Sequence, residues 1–377
     1  MKMVPLRELI SPAGFKAGSD TAYPVYSVTK HAGFVPSTEY FKKQIFSRDL
    51  DGYKRVRPGD FAYATIHLDE GSIGIAPTNG LISPMYTVFR PATDLVDPLY
   101  LLRFMKSPAA LAQYPRFGKG SVHRRKSISL EALCELKIPL PPLNEQHRIA
   151  EILDRADNLR NRRRQQLAQL SELTDSIFVA SLEDSRQVTL RPLAQVLETI
   201  IDYRGKSPQK AGAGVPLVTA GVVKDQRILP PREFVLEGDY DAWMRRGLPK
   251  IGDVLFTSEA PLGEVAQVVD SRIALAQRVI LLRGKSDIVD NLFLMHALSS
   301  RGVRTQLLQR STGSTVRGIR QSELLRVEIP LLPMELQRAY VAKAAALRSV
   351  RSRVEHELIQ HNQLFASLQS RAFRGEL

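Results

Sequence analysis

Cysteine is nearly absent from the sequence. Cys134 is the only cysteine in 377 residues, which excludes an intramolecular disulfide and a cysteine-based zinc cluster. The seven histidines lack the spacing of metal ligands and are predicted to be surface or core residues. Long apolar runs are also missing, since 339–347 (AYVAKAAAL) is interrupted by charge and too short to span a bilayer. The start, MKMVPLRELI, has no apolar core of signal-peptide length, so we expect a cytoplasmic protein without a metal site.

Motifs for catalysis are missing as well. The sequence contains no Asn/Asp-Pro-Pro-Tyr/Phe motif of the kind that holds a flipped adenine. The segments 205–207 and 284–286 (both GKS) end like a phosphate loop, but neither has the required upstream glycine, so both are predicted to be turns. The lone glycine pattern at 212–217 (GAGVPL) is very weak evidence for a nucleotide site. We expect no catalytic residues and no cofactor in this chain.

What the sequence has in excess is positive charge. It contains 53 lysines and arginines against 39 aspartates and glutamates, a formal net charge of +14 and a pI near 9.9. Each phosphate that a basic side chain neutralises releases a counterion, so this balance favours a nucleic-acid partner. A basic surface without a specialised partner is the alternative that composition leaves open.

The sequence is a tandem repeat of one unit of roughly 190 residues. Each copy begins with short β-rich runs separated by Gly, Pro and Asp turns, continues through a short helix and a basic Gly/Ser loop, and ends in a strand, prolines and a long helix. Solenoid repeats are shorter, at about 20–50 residues, so this is a duplicated domain with an appended helix. Four anchors recur in the same order: 4–9 (VPLREL) with 188–193 (VTLRPL), 59–60 with 252–253 (both GD), Gly120 with Gly313, and 138–140 with 329–331 (both IPL).

This pattern predicts a mixed α/β (α+β) fold with two globular heads in tandem, each followed by a helical stalk. Asn144 and Glu145, next to the prolines, supply a start for the first long helix. The predicted boundaries are 1–142 for the first head, 143–182 for the first stalk, 183–332 for the second head and 333–377 for the second stalk.

Apolar residues recur in both stalks at alternating steps of three and four, which is the heptad pattern of a coiled coil. Polar residues interrupt the seam: Arg163 and Gln166 in the first stalk, and Glu357 and His361 in the second. The residues predicted to pair the helices are Ile149, Ile152, Ala156, Leu159, Leu170, Leu173 and Ile177 in the first stalk and Leu347, Val350, Val354, Leu364 and Leu368 in the second.

A helix with one apolar seam must bury it, and two such helices in one chain bury it most simply against each other. The matched polar interruption favours pairing, since polar residues in a seam commonly fix its register. A pair joined through folded domains can run antiparallel, so we predict an antiparallel coiled coil. Two independent helices, each packed on its own head, are the alternative. About forty residues of helix span roughly 60 Å. Such a spacer suggests a ruler, in which the heads read two short DNA segments and the helix length sets the unread gap.

Five stretches resemble a known family: 138–154 (IPLPPLNEQHRIAEILD), 329–337 (IPLLPMELQ), 370–377 (SRAFRGEL), and the head segments 26–75 and 258–279. On these stretches the chain resembles the specificity (S) subunits of Type I restriction–modification enzymes, and the resemblance covers its whole length. One departure lies at the second junction, where 334–337 (MELQ) replaces 143–146 (LNEQ) of the first. Only the glutamine, Gln146 or Gln337, persists there.

The resemblance implies two target-recognition domains, each reading half of a bipartite double-stranded DNA target. It also implies two helical regions that form an antiparallel coiled coil and dock modification (methyltransferase) and restriction (translocase/endonuclease) subunits. Chemistry then belongs to those partners, with S-adenosylmethionine, ATP and Mg bound there and not to this chain. A self-sufficient methyltransferase or nuclease with unrecognised motifs and an RNA-binding or protein-binding scaffold are the competing readings.

Basic side chains near Gly/Ser turns suit phosphate contacts, and arginine can bind a guanine edge with two hydrogen bonds. The first candidates for DNA contact lie on two glycine-bearing turns: Lys119, Ser121, His123, Arg124, Arg125 and Lys126 in turn 118–127, and Arg310, Thr312, Ser314, Thr315, Arg317 and Arg320 in turn 310–320. The secondary candidates are Lys30, His31, Lys42, Lys43, Lys54, Arg55 and Tyr63 in the first head, and Tyr203, Arg204, Lys206, Thr219, Trp243, Arg245 and Arg246 in the second.

For each of these residues a solvated surface charge is the alternative, and for Trp243 the alternative is packing. The stalk also carries four arginines that could meet DNA between the heads. A solvated helix face or a partner surface is the preferred interpretation for that group, which consists of Arg160, Arg162, Arg163 and Arg164.

Overall fold

The computed structural model describes residues 1–18, 22–41, 46–118, 127–203, 205 and 207–377. They form two compact units: the first consists of 1–164 and 356–377, and the second of 165–355. Each unit therefore contains one head and a part of each long helix. The predicted division treats heads and stalks as separate parts, whereas in each unit the helices pack on the head as well as on each other.

The first head is built from short strands and short helices, and its last strand leads into the first long helix. Its strands are β1 (Lys2–Pro5), β2 (Ile10–Pro12), β3 (Val25–Thr29), β4 (Gly33–Pro36), β5 (Lys54–Val56), β6 (Phe61–Ala64), β7 (Ile73–Ile75), β8 (Gly80–Ile82), β9 (Tyr86–Pro91) and β10 (Lys137–Leu140). Its helices are α1 (Ser37–Tyr40), α2 (Pro98–Met105), α3 (Pro108–Leu111) and α4 (Leu130–Leu133), followed by the long α5 (Leu143–Glu183).

The second head repeats this order. Its strands are β11 (Thr189–Pro192), β12 (Leu197–Asp202), β13 (Val215–Val218), β14 (Val223–Lys224), β15 (Arg227–Ile228), β16 (Phe234–Val235), β17 (Val254–Thr257), β18 (Val265–Gln267), β19 (Ala274–Leu275), β20 (Val279–Gly284) and β21 (Glu328–Leu331). Its helices are α6 (Leu193–Val196), α7 (Tyr240–Trp243), α8 (Asn291–Ser299), α9 (Arg301–Arg310) and α10 (Gln321–Leu324), followed by the long α11 (Met334–Arg374).

Both heads place corresponding strands in the same order. The main sheet runs β2-β9-β6-β7 in the first head and β12-β20-β17-β18 in the second. A further sheet contains the parallel pair β3-β8 or β13-β19, in each case with an antiparallel neighbour, β4 or β16. The central strands β6 (FAYA) and β17 (VLFT) are almost wholly buried, as expected of strands covered on both faces. The predicted mixed fold with two tandem heads is confirmed.

The repeated Gly-Asp pair forms a turn in which a buried aspartate is paired with an arginine. Asp60 and Asp253 are each 1% exposed. Each carboxylate accepts a hydrogen bond from the backbone N–H three residues earlier, at 2.8 and 2.7 Å. Each also accepts one from an arginine Nε at 2.7 Å, Arg90 of β9 or Arg283 of β20. Since a buried carboxylate must be paired, this motif is explained by folding and not by ligand binding.

Each head is tied to its long helix through a two-stranded ladder. Strand β1 pairs antiparallel with β10, and β11 pairs antiparallel with β21 in the equivalent register. The prolines after β10 and β21 cannot extend the ladder, so the chain leaves it and enters the helix. The long helices begin at Leu143 and Met334, beside the predicted boundaries.

The glutamine shared by both junctions is a buried link between the head and the helix. In the first unit Gln146 is 1% exposed, and its Oε1 accepts a hydrogen bond from the backbone N–H of Asp97 at 2.8 Å. Its Nε2 donates to the carbonyls of Pro141 at 2.9 Å and Leu95 at 3.2 Å. Asp97 itself caps α2 by accepting from Tyr100 N at 2.7 Å. One side chain therefore joins the start of α5 to the start of α2.

The second unit repeats this arrangement. Gln337 is fully buried, and its Oε1 accepts from the backbone N–H of Asp290, the N-cap of α8, at 2.9 Å. Its Nε2 donates to the carbonyls of Leu332 at 2.8 Å and Ile288 at 3.0 Å. The neighbouring residues differ between the junctions, but the side-chain amide of glutamine supplies both the acceptor and the donors that this position requires.

The parts of the long helices within each unit pair antiparallel. In the first unit Arg148 Nη2 donates to Leu377 O at 2.7 Å, and Arg163 Nε lies 2.9 Å from Glu357 Oε2. Partner numbers thus fall as numbers along α5 rise. In the second unit Arg351 Nη1 donates to Ser171 Oγ at 3.1 Å, and the rings of Phe178 and Tyr340 lie 5.3 Å apart. The predicted antiparallel coiled coil is confirmed, and its polar interruption contains an ion pair.

The seam itself differs from the prediction at several positions. Leu159, Leu173 and Leu364 are 42%, 45% and 46% exposed, and the inward-facing residues lie one position further along the chain. Those residues are Arg160, Thr174 and Phe365, and Leu153 is more deeply buried than the predicted Ile152. The apolar pattern indicated the neighbouring leucines, because some of the true seam positions carry polar residues. The remaining predicted residues are buried or half-buried: Ile149, Ala156, Leu170, Ile177, Leu347, Val350, Val354 and Leu368.

The stalk arginines are not all solvated. The Arg160 guanidinium lies 3.6 Å from the centre of the Phe365 ring, and the side chain is 17% exposed. It also pairs with Asp157. Arg163 is engaged with Glu357, as described above. The expectation of a solvated face is therefore wrong for these two residues, while Arg162 and Arg164 are exposed.

Candidate nucleic-acid interface

The predicted turn of the second head is a closed loop. Thr312 N donates to Gly318 O and Gly318 N donates to Thr312 O, both at 2.9 Å. Gly313 has a φ of 101°, and a Cβ atom at this position would lie 2.1 Å from Val316 O. Only glycine fits such a position. The loop follows α9 and keeps its hydroxyl and basic side chains exposed, namely Thr312, Ser314, Thr315, Arg317 and Arg320.

This loop borders a groove of about 300 Å³ in the second head. Ile319 N donates to Ser258 O at 2.9 Å, and Ser258 N donates to Arg278 O at 3.0 Å. The groove is therefore formed where the end of β17, the turn before β20 and the loop before α10 meet. Its polar lining includes Glu259, Gln277, Arg278, Thr312 and Arg320.

Two arginines of the second turn also have partners within the head. Arg310 Nη1 lies 3.6 Å from Glu323 Oε2, and Arg317 Nη1 donates to Leu308 O at 3.4 Å. Arg310 is therefore drawn toward a carboxylate, which makes it a weaker candidate for a phosphate. The long, exposed contact of Arg317 costs little to exchange for a phosphate oxygen.

The first head has a groove of about 240 Å³ at the corresponding place. Thr65, Ile66, His67, Met85 and Tyr86 are among its lining residues. Ten candidates lie outside the described residues and stay predictions: Lys42, Lys43, Lys119, Ser121, His123, Arg124, Arg125, Lys126, Arg204 and Lys206.

The other secondary candidates of the first head have local partners. Lys54 Nζ donates to Tyr86 O at 2.6 Å, and burial lowers the pKa of its ammonium group. The Arg55 guanidinium lies 4.4 Å from the centre of the Tyr23 ring. Lys30 and His31 are exposed on the turn between β3 and β4. Of these four residues, Lys30 and His31 are the exposed ones.

Two predicted tyrosines belong to the core. Tyr63 is fully buried and donates its hydroxyl to Ile128 O at 3.0 Å, and burial raises its pKa. Tyr203 is 3% exposed, stacks on Trp243 with ring centres 5.0 Å apart, and accepts from Arg246 N at 3.1 Å. Both were wrong as DNA contacts, because a buried phenol cannot reach a duplex.

Packing also explains Trp243, whose Nε1 donates to Leu275 O at 3.0 Å. Thr219 is half-buried at the start of a 3-10 turn, Ala220–Val222. Arg245 and Arg246 are exposed beside Tyr203, and the Arg246 guanidinium lies 5.5 Å from the Tyr203 ring centre. Among the described members of the group, these two arginines are exposed.

The described residues contain neither a metal-binding cluster nor a membrane-spanning helix. No group of three or more His, Cys, Asp or Glu side chains there could hold a metal ion. Within the same residues, no helix combines the length and apolar character needed to cross a membrane.

Residues 59–170 match the family described as Type I restriction modification DNA specificity domain. The chain is 25% identical over 350 residues to the type I restriction enzyme MjaVIII specificity subunit of Methanocaldococcus jannaschii. The aligned residues make up 86% of this chain and 80% of the relative. This part of the chain is therefore similar to a DNA specificity domain. Over most of its length the chain is similar to a specificity subunit of a type I restriction enzyme, and the resemblance found in the sequence is confirmed.

Solved structures share the fold. The S subunit of a type I restriction-modification system from M. genitalium is 14% identical and has a TM-score of 0.59, covering 99% of this chain and 96% of its own. A chain from a structure concerned with complex assembly and conformational transition of the type I R-M system is 18% identical and has a TM-score of 0.53, covering 100% and 98%. At these identities, the likeness shows a common fold.

Proposed function

We propose that this chain is the DNA sequence-specificity subunit of a type I restriction–modification complex. Each head reads one half of a bipartite double-stranded target, and the chain carries no catalytic site of its own. The observation that supports this most is the duplication: two heads of one topology each have a groove in the same place, in a chain of net charge +14. Two such grooves suit two separate half-sites. The positive charge attracts the chain to DNA phosphates whatever the base sequence.

The paired helices set the spacing between the half-sites and dock modification and restriction subunits. Leu159, Leu173 and Leu364 lie outside the seam and are exposed, so they are available to a partner surface. S-adenosylmethionine, ATP and Mg bind to those partner subunits, and the complex works in the cytoplasm.

Methylome sequencing of cells that carry this chain with its modification subunit tests the proposal. The expected result is one bipartite methylated sequence, lost when this chain is omitted. Purified chain alone should neither methylate nor cleave DNA. Methylation or cleavage by the purified chain would support a self-sufficient enzyme, and preference for RNA over duplex DNA across a salt series would support an RNA-binding scaffold.

Shortening both long helices by one heptad tests the ruler. Deleting 161–167 and 355–361 together removes matched turns, and seven residues of helix correspond to about 10 Å, or roughly three base pairs. The spacer should shorten while both half-sites stay the same. Altered half-sites at an unchanged spacer would reject this role of the helices. Deletion in one helix alone serves as the control, because it misaligns the seam and should impair assembly.

A further inference from the structure

The grooves of the two heads are built on the same two anchoring contacts. In the first head Thr65 Oγ1 donates to Met85 O at 3.4 Å, and Ile128 N donates to Thr65 O at 2.9 Å. In the second head Ser258 Oγ donates to Arg278 O at 3.3 Å, and Ile319 N donates to Ser258 O at 2.9 Å. These bonds make Met85 and Arg278 equivalent, each directly before the next strand of the main sheet, β9 or β20.

The same bonds make Ile66 and Glu259 equivalent, because each follows the anchoring hydroxyl residue. Two positions of the groove therefore carry opposite chemistry in the two heads. The first head has Ile66 and a Met85 that is 65% exposed. The second head has Glu259 and Arg278, whose carboxylate and guanidinium lie 3.4 Å apart with 40% and 46% of each side chain exposed.

The geometry points to these two positions as specificity-determining residues, an inference that rests on the proposed function: Glu259 and Arg278 read a G·C base pair in one half-site, and Ile66 and Met85 read a thymine methyl group in the other. An arginine binds guanine O6 and N7 with two hydrogen bonds, and a glutamate accepts from cytosine N4. A methionine and an isoleucine offer no donor or acceptor for a base edge except the weak thioether, but they suit contact with the C5-methyl group of thymine.

The state of the free pair supports this assignment. An exposed ion pair at 3.4 Å contributes little to stability, so both groups can turn toward a base at small free-energy cost. The neighbouring loop supplies a complementary role. Its exposed Ser314, Thr315 and Arg317 lie beside the groove and suit phosphate oxygens, which position a protein on DNA without reading its sequence.

The experiment uses the complex of the full chain with its modification subunit. Selection from a randomised duplex library, followed by sequencing, compares the wild type with Glu259→Ile plus Arg278→Met and with Ile66→Glu plus Met85→Arg. The first variant should lose a G·C preference at one position of the second head's half-site, with affinity for the original site lowered about 10- to 100-fold. The second variant should exchange an A·T preference for G·C in the other half-site. The spacer and the unaltered half-site should not change.

A matched control is Glu237→Ile plus Arg272→Met, which removes an exposed ion pair of the same head outside the groove. It should leave the selected sequence unchanged. Arg278→Lys keeps the charge but lacks the planar fork, so it should weaken the guanine preference without lowering affinity for unrelated duplexes. This variant also retains the shape of the groove, so its result does not depend on the double variant folding well.

Three outcomes would overturn the inference. The variants could select the wild-type sequence, they could lose affinity equally for cognate and unrelated duplexes, or the altered position could fall in the wrong half-site. Failure of the wild-type complex to select any bipartite sequence would instead overturn the proposed function. The two failures are therefore distinguishable in the same library.

Discussion

Helix α2 of the first head and helix α8 of the second contact the long helices through the same position, six residues after the capping aspartate. In the first unit this residue is Arg103, whose Nε lies 2.8 Å from Asp154 Oδ1 and whose Nη1 lies 2.7 Å from Asp157 Oδ2. In the second unit it is His296, whose Nδ1 is hydrogen-bonded to the hydroxyl of Tyr340. One fold therefore accepts an ion pair or a neutral hydrogen bond at the same contact.

The electrostatics of the two contacts differ accordingly. Burial, reinforced by the charge of Arg348, lowers the pKa of His296 to about 4, so its ring is neutral near pH 7. Burial acts to raise the pKa of Asp157, but hydrogen bonds from Arg160 and Arg103 outweigh it and the pKa is lowered. The polar partner on the long helix is therefore interchangeable as long as the glutamine link and the capping aspartate hold the geometry.

Loss of the buried glutamine link should lower the stability of either unit most, and by a similar amount in both. Gln146→Met and Gln337→Met keep the side-chain volume but leave one backbone N–H and two carbonyls without their buried partner. Each variant should lower the free energy of unfolding by about 3 kcal/mol or more. Urea unfolding measures the loss, and hydrogen exchange of α2 and α8 shows which unit opens. The controls are Gln169→Met and Gln363→Met, which alter exposed glutamines of the same helices. A large loss in only one unit would contradict the equivalence.

Acid should separate the two units. His296 has a folded pKa of about 4, below its ordinary value of 6.5, so its contribution is complete above pH 6.5 and is lost as the pH falls toward 4. The loss amounts to about 3 kcal/mol at most. Asp157, with its lowered pKa, contributes above its ordinary 3.8 and loses that contribution only below it. Hydrogen exchange between pH 6.5 and 4 should therefore show α8 opening before α2.

His296→Gln removes the titrating group, so its unfolding free energy should change less over this range. His356→Gln is the control, because that histidine is exposed. Equal acid sensitivity of the wild type and the His296 variant would reject this explanation.

A smaller effect is expected for the ion pair of the first unit. Arg103→Met leaves Asp154 and Asp157 without this partner, and their side chains are 33% and 19% exposed. The expected loss is about 2 kcal/mol, less than for a fully buried pair because water reaches the carboxylates. Chemical denaturation measures it. Arg155→Met should be close to neutral, since Arg155 and its partner Glu151 are 77% and 62% exposed. A similar loss in both variants would argue against the ion pair as the cause.

The smallest expected losses of stability concern two glutamates of the second long helix. Glu357 pairs with Arg163 at 2.9 Å and is 42% exposed, whereas Glu355 pairs with Arg227 at 2.6 Å and Arg351 at 3.0 Å and is 21% exposed. Glu357→Gln should cost under about 1 kcal/mol, and Glu355→Gln should cost more, up to about 2 kcal/mol. Thermal unfolding at low and high salt measures both losses. A larger loss for Glu357→Gln than for Glu355→Gln would show that burial does not determine how much these ion pairs stabilise the protein.

Several features followed from the sequence because their cause is local or repeated. The duplicated Gly-Asp turn, the strand–proline–helix junction and the heptad spacing each depend on a few neighbouring residues, and each recurs in both copies. The seam residues Arg160 and Thr174 could not be found in this way. Arg160 is accommodated by the opposite helix, where its partner is the ring of Phe365, some 200 positions away in the chain. The Thr174 hydroxyl donates to the carbonyl of Leu170 in its own helix, so it does not need a partner across the seam.

Residue order alone reveals the repeat, the mixed fold of each head, the two long helices and the family resemblance, because periodicity and motif spacing are properties of order along the chain. The three-dimensional fold, in contrast, determines which residues share a surface. It buried Tyr63 and Tyr203, made a helix link of Gln146 and Gln337, and brought Glu259 and Arg278 to the same groove. The physical reason is that burial and pairing depend on segments distant in sequence, and a residue's type does not reveal what the fold places opposite it.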